Sequence, residues 1–247
     1  MKRIAVVQAR MGSSRLPGKV LADVAGRPML AHLLNRLEKS RQLSGVVVAT
    51  TDEPEDDEVA AVASELGAQV LRGSRDDVLS RYVLAQRETG AAVIVRITAD
   101  CPLVDPEIVD LVTTALTASP DCDYASNVLE RTYPQGLDVE AFTADALARI
   151  DAIATSAEER EHVTWAVRFT HPALFRVRSV TDAEDNSDLR WTVDEERDLQ
   201  LVRRLFRDLH LDARPMGYRE ILAHVRAHPE LTQLGAELDL PQPERGV

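Results

Sequence analysis

Ile4-Ala-Val-Val7, followed at once by Gln8-Ala9-Arg10-Met-Gly12-Ser13-Ser14-Arg15-Leu16-Pro17-Gly18-Lys19, decides how the chain is read. The first four residues are apolar throughout and mostly β-branched, the mark of a strand buried on both faces. Similar runs recur at Val46 to Ala49, Gln69 to Leu71 and Val93 to Ile97. Between them, amphipathic stretches of helical period lie at about Pro28 to Lys39, Asp56 to Leu66 and Asp77 to Glu88, with Gly67 and Gly90 placed as helix stops. Apolar strands alternating with helices predict an α/β fold, a mostly parallel sheet with helices on both faces. Such sheets bind ligands beyond the carboxyl ends of their strands, so function is expected at Gln8, at Thr50 to Asp52 and after Ile97.

The segment after the first strand combines two glycines, hydroxyls and three cations. Glycines let backbone N–H groups approach phosphate oxygens, and Arg10, Arg15 and Lys19 supply charge, the arginines as forked donors. It is not a Walker loop: the spacing from Gly12 to Gly18-Lys19 is one residue too long, and Val20 stands where Ser or Thr would meet magnesium. The plainer reading is a solvated basic loop, but its place at the end of a strand favours a polyphosphate cradle.

After the fourth strand, Arg96-Ile-Thr98-Ala-Asp100-Cys-Pro102 puts a carboxylate at the same sheet edge. Asp100 suits magnesium, which takes one or two protein carboxylates and fills its octahedron with water and phosphate oxygens. Asp105 reads instead as the cap of the helix begun by Pro106. In Arg190-Trp191-Thr-Val-Asp194-Glu195-Glu196, Asp194 is either a helix N-cap or a second metal ligand, since both roles present an oxygen at a strand end. Gln135, Asp138 and Glu140 line an acceptor pocket or face solvent. His162 contacts ligand or sits on a helix surface, and Arg81 belongs either to the nucleotide side or to a capped helix.

The rest of the second half reads as a polar segment from Asn127 to Glu140, helices near Thr143 to Ala154 and Glu158 to Thr170, a strand at Phe175 to Val180, a helix from Glu195 to Leu209, and a last amphipathic stretch, Tyr218 to His228. The expected organisation is one domain over 1–240 with a polar tail, 241–247.

The 247 residues are 45% hydrophobic and 28% charged, ordinary for a globular chain. A formal charge of -12 argues against a protein that works by neutralising nucleic-acid phosphates. No apolar stretch of about 18 residues is present, so no membrane partner and a cytoplasmic location are expected. Cys101 and Cys122 lack zinc-ligand spacing and read as free thiols.

Taken together, these residues resemble the sugar-acid cytidylyltransferases, the 3-deoxy-manno-octulosonate and acylneuraminate enzymes, and most closely the spore-coat polysaccharide biosynthesis branch. The resemblance is carried by Ala9-Arg10-x-x-Ser13-x-Arg15-Leu16-Pro17-Gly18-Lys19, Thr98-Ala-Asp100-Cys-Pro102, Gln135-Gly-Leu-Asp138-Val-Glu140, Glu159-Arg-Glu161-His162-Val163-Thr164 and Thr192-Val-Asp194, and it spans roughly residues 1 to 210. It implies a nucleotide-diphospho-sugar transferase fold of Rossmann-like kind, and CMP transfer from CTP to an acidic sugar or similar small, anionic acceptor with pyrophosphate release. It implies Mg²⁺ as cofactor and a homodimer, with the segment 127–141 serving dimerisation or the acceptor pocket. By position, Ala9, Arg10, Gly12, Ser13, Arg15, Lys19, Arg81 and Thr98 would bind nucleotide, with Lys19, Arg10 and Asp100 catalytic. Asp100 and Asp194 would hold the metal, and Gln135, Asp138, Glu140, Glu161 and His162 would meet the acceptor. The octulosonate enzymes differ around Gln135 to Glu140, which leaves the sugar open.

Rival readings are a phosphonate or other non-sugar acceptor, a non-catalytic nucleotide-binding subunit, and a nucleotide-sugar-dependent glycosyltransferase. The last usually carries Asp-x-Asp, absent at Ala99-Asp100-Cys101.

Overall fold

A computed structural model describes residues 1–235. The chain opens with β1 (Arg3–Gln8), whose alternate residues point to opposite faces of the sheet. Ala5 and Val7 enter one core, and Ile4 and Val6 the other. After the cation-bearing loop, a small hairpin of β2 (Asp23–Val24) and β3 (Arg27–Pro28) turns through Ala25 and Gly26, both at positive φ, and leads into α1 (Met29–Leu37). There follow β4 (Gly45–Thr51), α2 (Asp57–Glu65), β5 (Gln69–Gly73), α3 (Val78–Thr89) and β6 (Val93–Thr98). Gly67 and Gly90 take left-handed φ of 81° and 63° and end α2 and α3 as the sequence predicts.

Then come α4 (Pro106–Thr117), β7 (Tyr124–Ser126), β8 (Glu140–Thr143), α5 (Ala144–Ile153), α6 (Ala157–Glu161), a π-helical turn over Ala166–Thr170, and β9 (Val177–Ser179). The chain closes with α7 (Glu196–Leu209), α8 (Tyr218–Ala227) and α9 (Pro229–Gly235). The expected polar tail, 241–247, lies outside the described residues.

The seven-stranded sheet has the order β5-β4-β1-β6-β8-β7-β9. All neighbours pair in parallel except β8, which runs against both β6 and β7. From β1 the chain steps outward through β4 to β5 and then returns to lay β6 on the other side of β1. The order therefore reverses between β1 and β6, and the loops leaving their carboxyl ends diverge to open a crevice.

Two expectations are corrected. The stretch read as a polar segment is largely buried: Asn127, Val128, Tyr133, Leu137, Val139 and Glu140 are buried, and its end is a strand inside the sheet. The helix expected from Glu158 to Thr170 is broken, because Val163, a β-branched residue with φ of 53°, reverses the chain between α6 and the π turn.

Candidate active site

The crevice is a cavity of about 230 Å³ lined by Gln8 at the end of β1, by Arg10, Gly12, Ser13, Ser14, Arg15 and Lys19 from the loop that follows, and by Thr98 and Asp100 at and after the end of β6. The loop is held by groups outside it. The Met11 N–H donates to Asp56 Oδ1 at 2.6 Å, and the other Asp56 oxygen accepts from the Thr51 hydroxyl, so a buried carboxylate in the turn between β4 and α2 pins the loop's start. Gly18, with φ of 73°, turns the chain so that Lys19 points back inward.

Lys19 is the centre of the site. Only 9% exposed, its ammonium donates to Val193 O at 2.7 Å, Asp194 Oδ1 at 2.9 Å and Asp100 Oδ2 at 3.2 Å. The two candidate metal carboxylates, remote in sequence, thus meet on one cation. The backbone enforces this approach: the Val193 N–H donates to Asp100 O at 2.8 Å, tying the chain ahead of α7 to the turn after β6.

Asp194 is not the helix cap. Glu195 takes the N-cap position of α7, and the Asp198 carboxylate accepts from the N–H groups of Asp194 and Glu195. That leaves the Asp194 side chain free for the site, where Lys19, Arg190 and Arg15 surround it. Burial works to raise its carboxyl, but the hydrogen bonds and charge of Lys19, then Arg190 and Arg15, outweigh it and hold the group below the ordinary value. Cys101, by contrast, is pushed well up by burial and by the charges of Asp100 and Asp138, so it is a packed, protonated thiol.

Among the described residues no group of three or more His, Cys, Asp or Glu side chains could hold a metal. A zinc centre is therefore not offered. Two carboxylates converging beside an open, cation-lined cavity do fit magnesium, whose remaining positions phosphate oxygens and water would fill.

Other predicted residues fall into place unevenly. Arg10, which lines the cavity, reaches toward Glu161, the last residue of α6, at 3.9 Å; His162, next in the chain, is exposed and packs on Trp165 with ring centroids 5.3 Å apart. Asp138 is held by Arg131 in a two-pronged ion pair at 2.7 and 2.8 Å. Gln135 is half-buried, and its backbone bonds with Leu189 and Trp191 in a short bridge beside the segment that leads to Asp194.

Three expected contacts are corrected. Glu140 is 3% exposed, with its carboxylate spent on Arg96, Tyr124 and Thr164, so it is a core ion-pair partner and not an acceptor contact. Arg81 is 2% exposed and donates to Ala49 O at 3.1 Å, bracing the end of β4 beneath the loop instead of reaching into the crevice. Ala9 is buried, and its N–H is also taken by Ala49 O, at 3.2 Å, leaving no donor there for a phosphate.

Asp56, Arg190 and the Val193 carbonyl were not singled out from the sequence. Asp56 reads there as the start of a helix, and no local pattern reveals a carbonyl aimed at a distant lysine.

A mostly parallel sheet with a cationic, carboxylate-flanked crevice at its topological switch point defines a nucleotidyltransferase of Rossmann-like fold. Comparison with known proteins makes this specific: residues 4–228 match the cytidylyltransferase family model. The chain belongs to that family and is a CTP-dependent cytidylyltransferase. It is 35% identical over 209 residues to the spore coat polysaccharide biosynthesis protein SpsF of Bacillus subtilis, covering 81% of this chain and 85% of that one. A cytidylyltransferase structure from Leptospira borgpetersenii superposes with a TM-score of 0.90 at 30% identity, covering 98% and 100% of the two chains. A CMP:2-keto-3-deoxy-manno-octonic acid synthetase complexed with CTP shares the fold, with a TM-score of 0.67 at 22% identity over 85% of this chain and all of that one. Among the described residues no helix is long and apolar enough to cross a membrane.

Proposed function

We propose that the protein transfers CMP from CTP to an acidic sugar, with Mg²⁺ held by Asp100 and Asp194. The convergence of both carboxylates beside the cation-lined loop carries this reading. SpsF, named for spore coat polysaccharide biosynthesis, and the CTP-bound synthetase of a sugar acid point in the same direction. Family membership sets aside the glycosyltransferase and the non-catalytic subunit.

In this reaction an acceptor oxygen attacks the α-phosphorus of CTP in line, the bond to the β-phosphate breaks, and pyrophosphate leaves. A magnesium ion held by Asp100 and Asp194 would supply charge neutralisation to the reacting phosphates. The protein's own work is positioning: the Gly12 backbone, the Ser13 hydroxyl and the Arg10 and Arg15 side chains cradle the triphosphate, and Lys19 offsets the charge gathering on the leaving group. Arg10 in the cavity, with Glu161 and His162 beyond it, would meet an anionic acceptor with a cation and an aromatic surface.

A pyrophosphate-release assay with CTP, Mg²⁺ and a panel of sugar acids, neutral sugars, sugar phosphates and phosphonates tests the proposal. Turnover is expected with an acceptor that bears a carboxylate beside its attacking oxygen. Turnover confined to phosphonates or neutral sugars would overturn the sugar-acid assignment.

A further inference from the structure

Lysine is scarce in this chain. Only three of its 29 Lys and Arg residues are lysine, at positions 2, 19 and 39, and of these only Lys19 is buried. An arginine's flat fork would not fit where Lys19 sits, because the ammonium is ringed by three separate oxygens, from Val193, Asp194 and Asp100, that use all three of its N–H groups. Two of those oxygens belong to the carboxylates that the reading above assigns to the metal. A dication bound between them would stand within a few ångströms of the ammonium, with little water between to screen the repulsion.

We infer that Lys19 and the divalent cation compete for one position. In the nucleotide-free protein Lys19 is the counter-ion that joins Asp100 to Asp194. The cation gains the carboxylates only as Lys19 leaves, and the destination is at hand, since Lys19 also lines the cavity that Arg10, Gly12, Ser13 and Arg15 surround. Phosphates bound there draw the ammonium off the carboxylates. The site therefore takes up its metal together with the nucleotide and binds free metal poorly. This inference rests on the metal-site reading of the preceding section.

Asp194 keeps Arg15 at 3.2 Å and Arg190 as further partners, so loss of the lysine leaves it paired. Removing the ammonium with Lys19→Met should then raise the affinity of nucleotide-free protein for manganese(II), the spectroscopic probe, by on the order of tenfold. Adding Asp194→Asn should erase that gain. In wild-type protein, amine acylation read by mass spectrometry offers a second measurement that needs no variant. Lys2 and Lys39 are exposed and serve as internal references. Lys19 should react slowly in the metal-free, nucleotide-free protein and faster as manganese(II) is raised, with Lys39 unchanged. Two results would overturn the inference: Lys19 as reactive as Lys39 without metal, or Lys19→Met binding manganese(II) no tighter than wild type. If either occurs while Asp100→Asn and Asp194→Asn still abolish binding of manganese(II) with CTP, the metal site stands and only the competition fails. If those two variants bind manganese(II) with CTP normally, the metal-site reading itself falls, and the inference with it.

Discussion

Gly136 lies against the backbone of Thr192: a β-carbon built on Gly136 would sit 2.4 Å from the Thr192 amide nitrogen and 2.5 Å from the Trp191 carbonyl carbon, and the glycine holds a φ of 105°. Neither neighbour is a flexible side chain. The close approach lets the Gln135 bridge run beside Arg190 and so delivers Asp194 to the site. Gly136→Ala should destabilise the protein by about 3 kcal/mol or more, from backbone clash and an unfavourable φ together. Urea unfolding checks this; a midpoint within error of wild type would mean that the segment from Arg190 to Asp194 can move aside freely.

Replacing Asp100 or Asp194 with Asn preserves size but removes the negative charge that a hard cation requires. Each single variant is expected to melt near the wild-type temperature, to need far more Mg²⁺ and to lose most turnover. The double variant should be much less than multiplicatively worse, because the two act as a unit. If Asp194→Asn keeps normal turnover and Mg²⁺ dependence, the two-carboxylate site must be abandoned.

Glu140 separates a structural from a ligand-contacting role. With Arg96 left unpaired in the sheet, Glu140→Ala should cost about 3–5 kcal/mol, seen as a lowered denaturation midpoint. A variant of unchanged stability with only a raised acceptor KM would restore the acceptor contact that the structure removes.

CTP with Mg²⁺ should raise the melting temperature more than ATP, GTP or UTP does, since the loop serves any triphosphate while the adjoining surface must choose the base. At about 100-fold above its Kd the gain is roughly 2.7 kcal/mol, or about 5–10 °C for a domain of this size. Equal shifts for all four nucleotides would leave cytidine unexplained by this site.

Glu159 ties the segment carrying Glu161 and His162 to the domain. The Thr170 hydroxyl, then the N–H groups of Ser156 and Thr155, hydrogen-bond its carboxylate and pull its pKa down to about 2. An unfolded glutamate titrates at about 4.3. The depressed folded value means that the stabilisation is complete above that pH and disappears as pH falls toward 2. Glu159→Gln should cost about 2 kcal/mol at neutral pH, and the gap from wild type should close on acidification. A gap that stays constant from pH 6 to pH 2.5 would show that packing, not the charge, carries the effect.

Much of this molecule is legible from local sequence. The apolar runs of β1, β4, β5 and β6 and the helices between them follow from short-range periodicity. The parallel sheet then places the Arg10 to Lys19 loop and Asp100 at one edge, because each lies directly after a strand. What only the tertiary structure decided depends on pairings between distant segments. β8 hides a charged residue, Glu140, whose burial makes sense only once Arg96 is beside it. Arg81 and Ala9 look available in sequence, yet the single carbonyl of Ala49 occupies both. The sequence leaves Asp194 evenly poised between helix cap and metal ligand, since each role needs an oxygen at a strand end. The fold removes the cap role: Glu195 stands at the N-cap of α7, while the Val193 N–H bonds the Asp100 carbonyl and Lys19 draws the Asp100 and Asp194 carboxylates together.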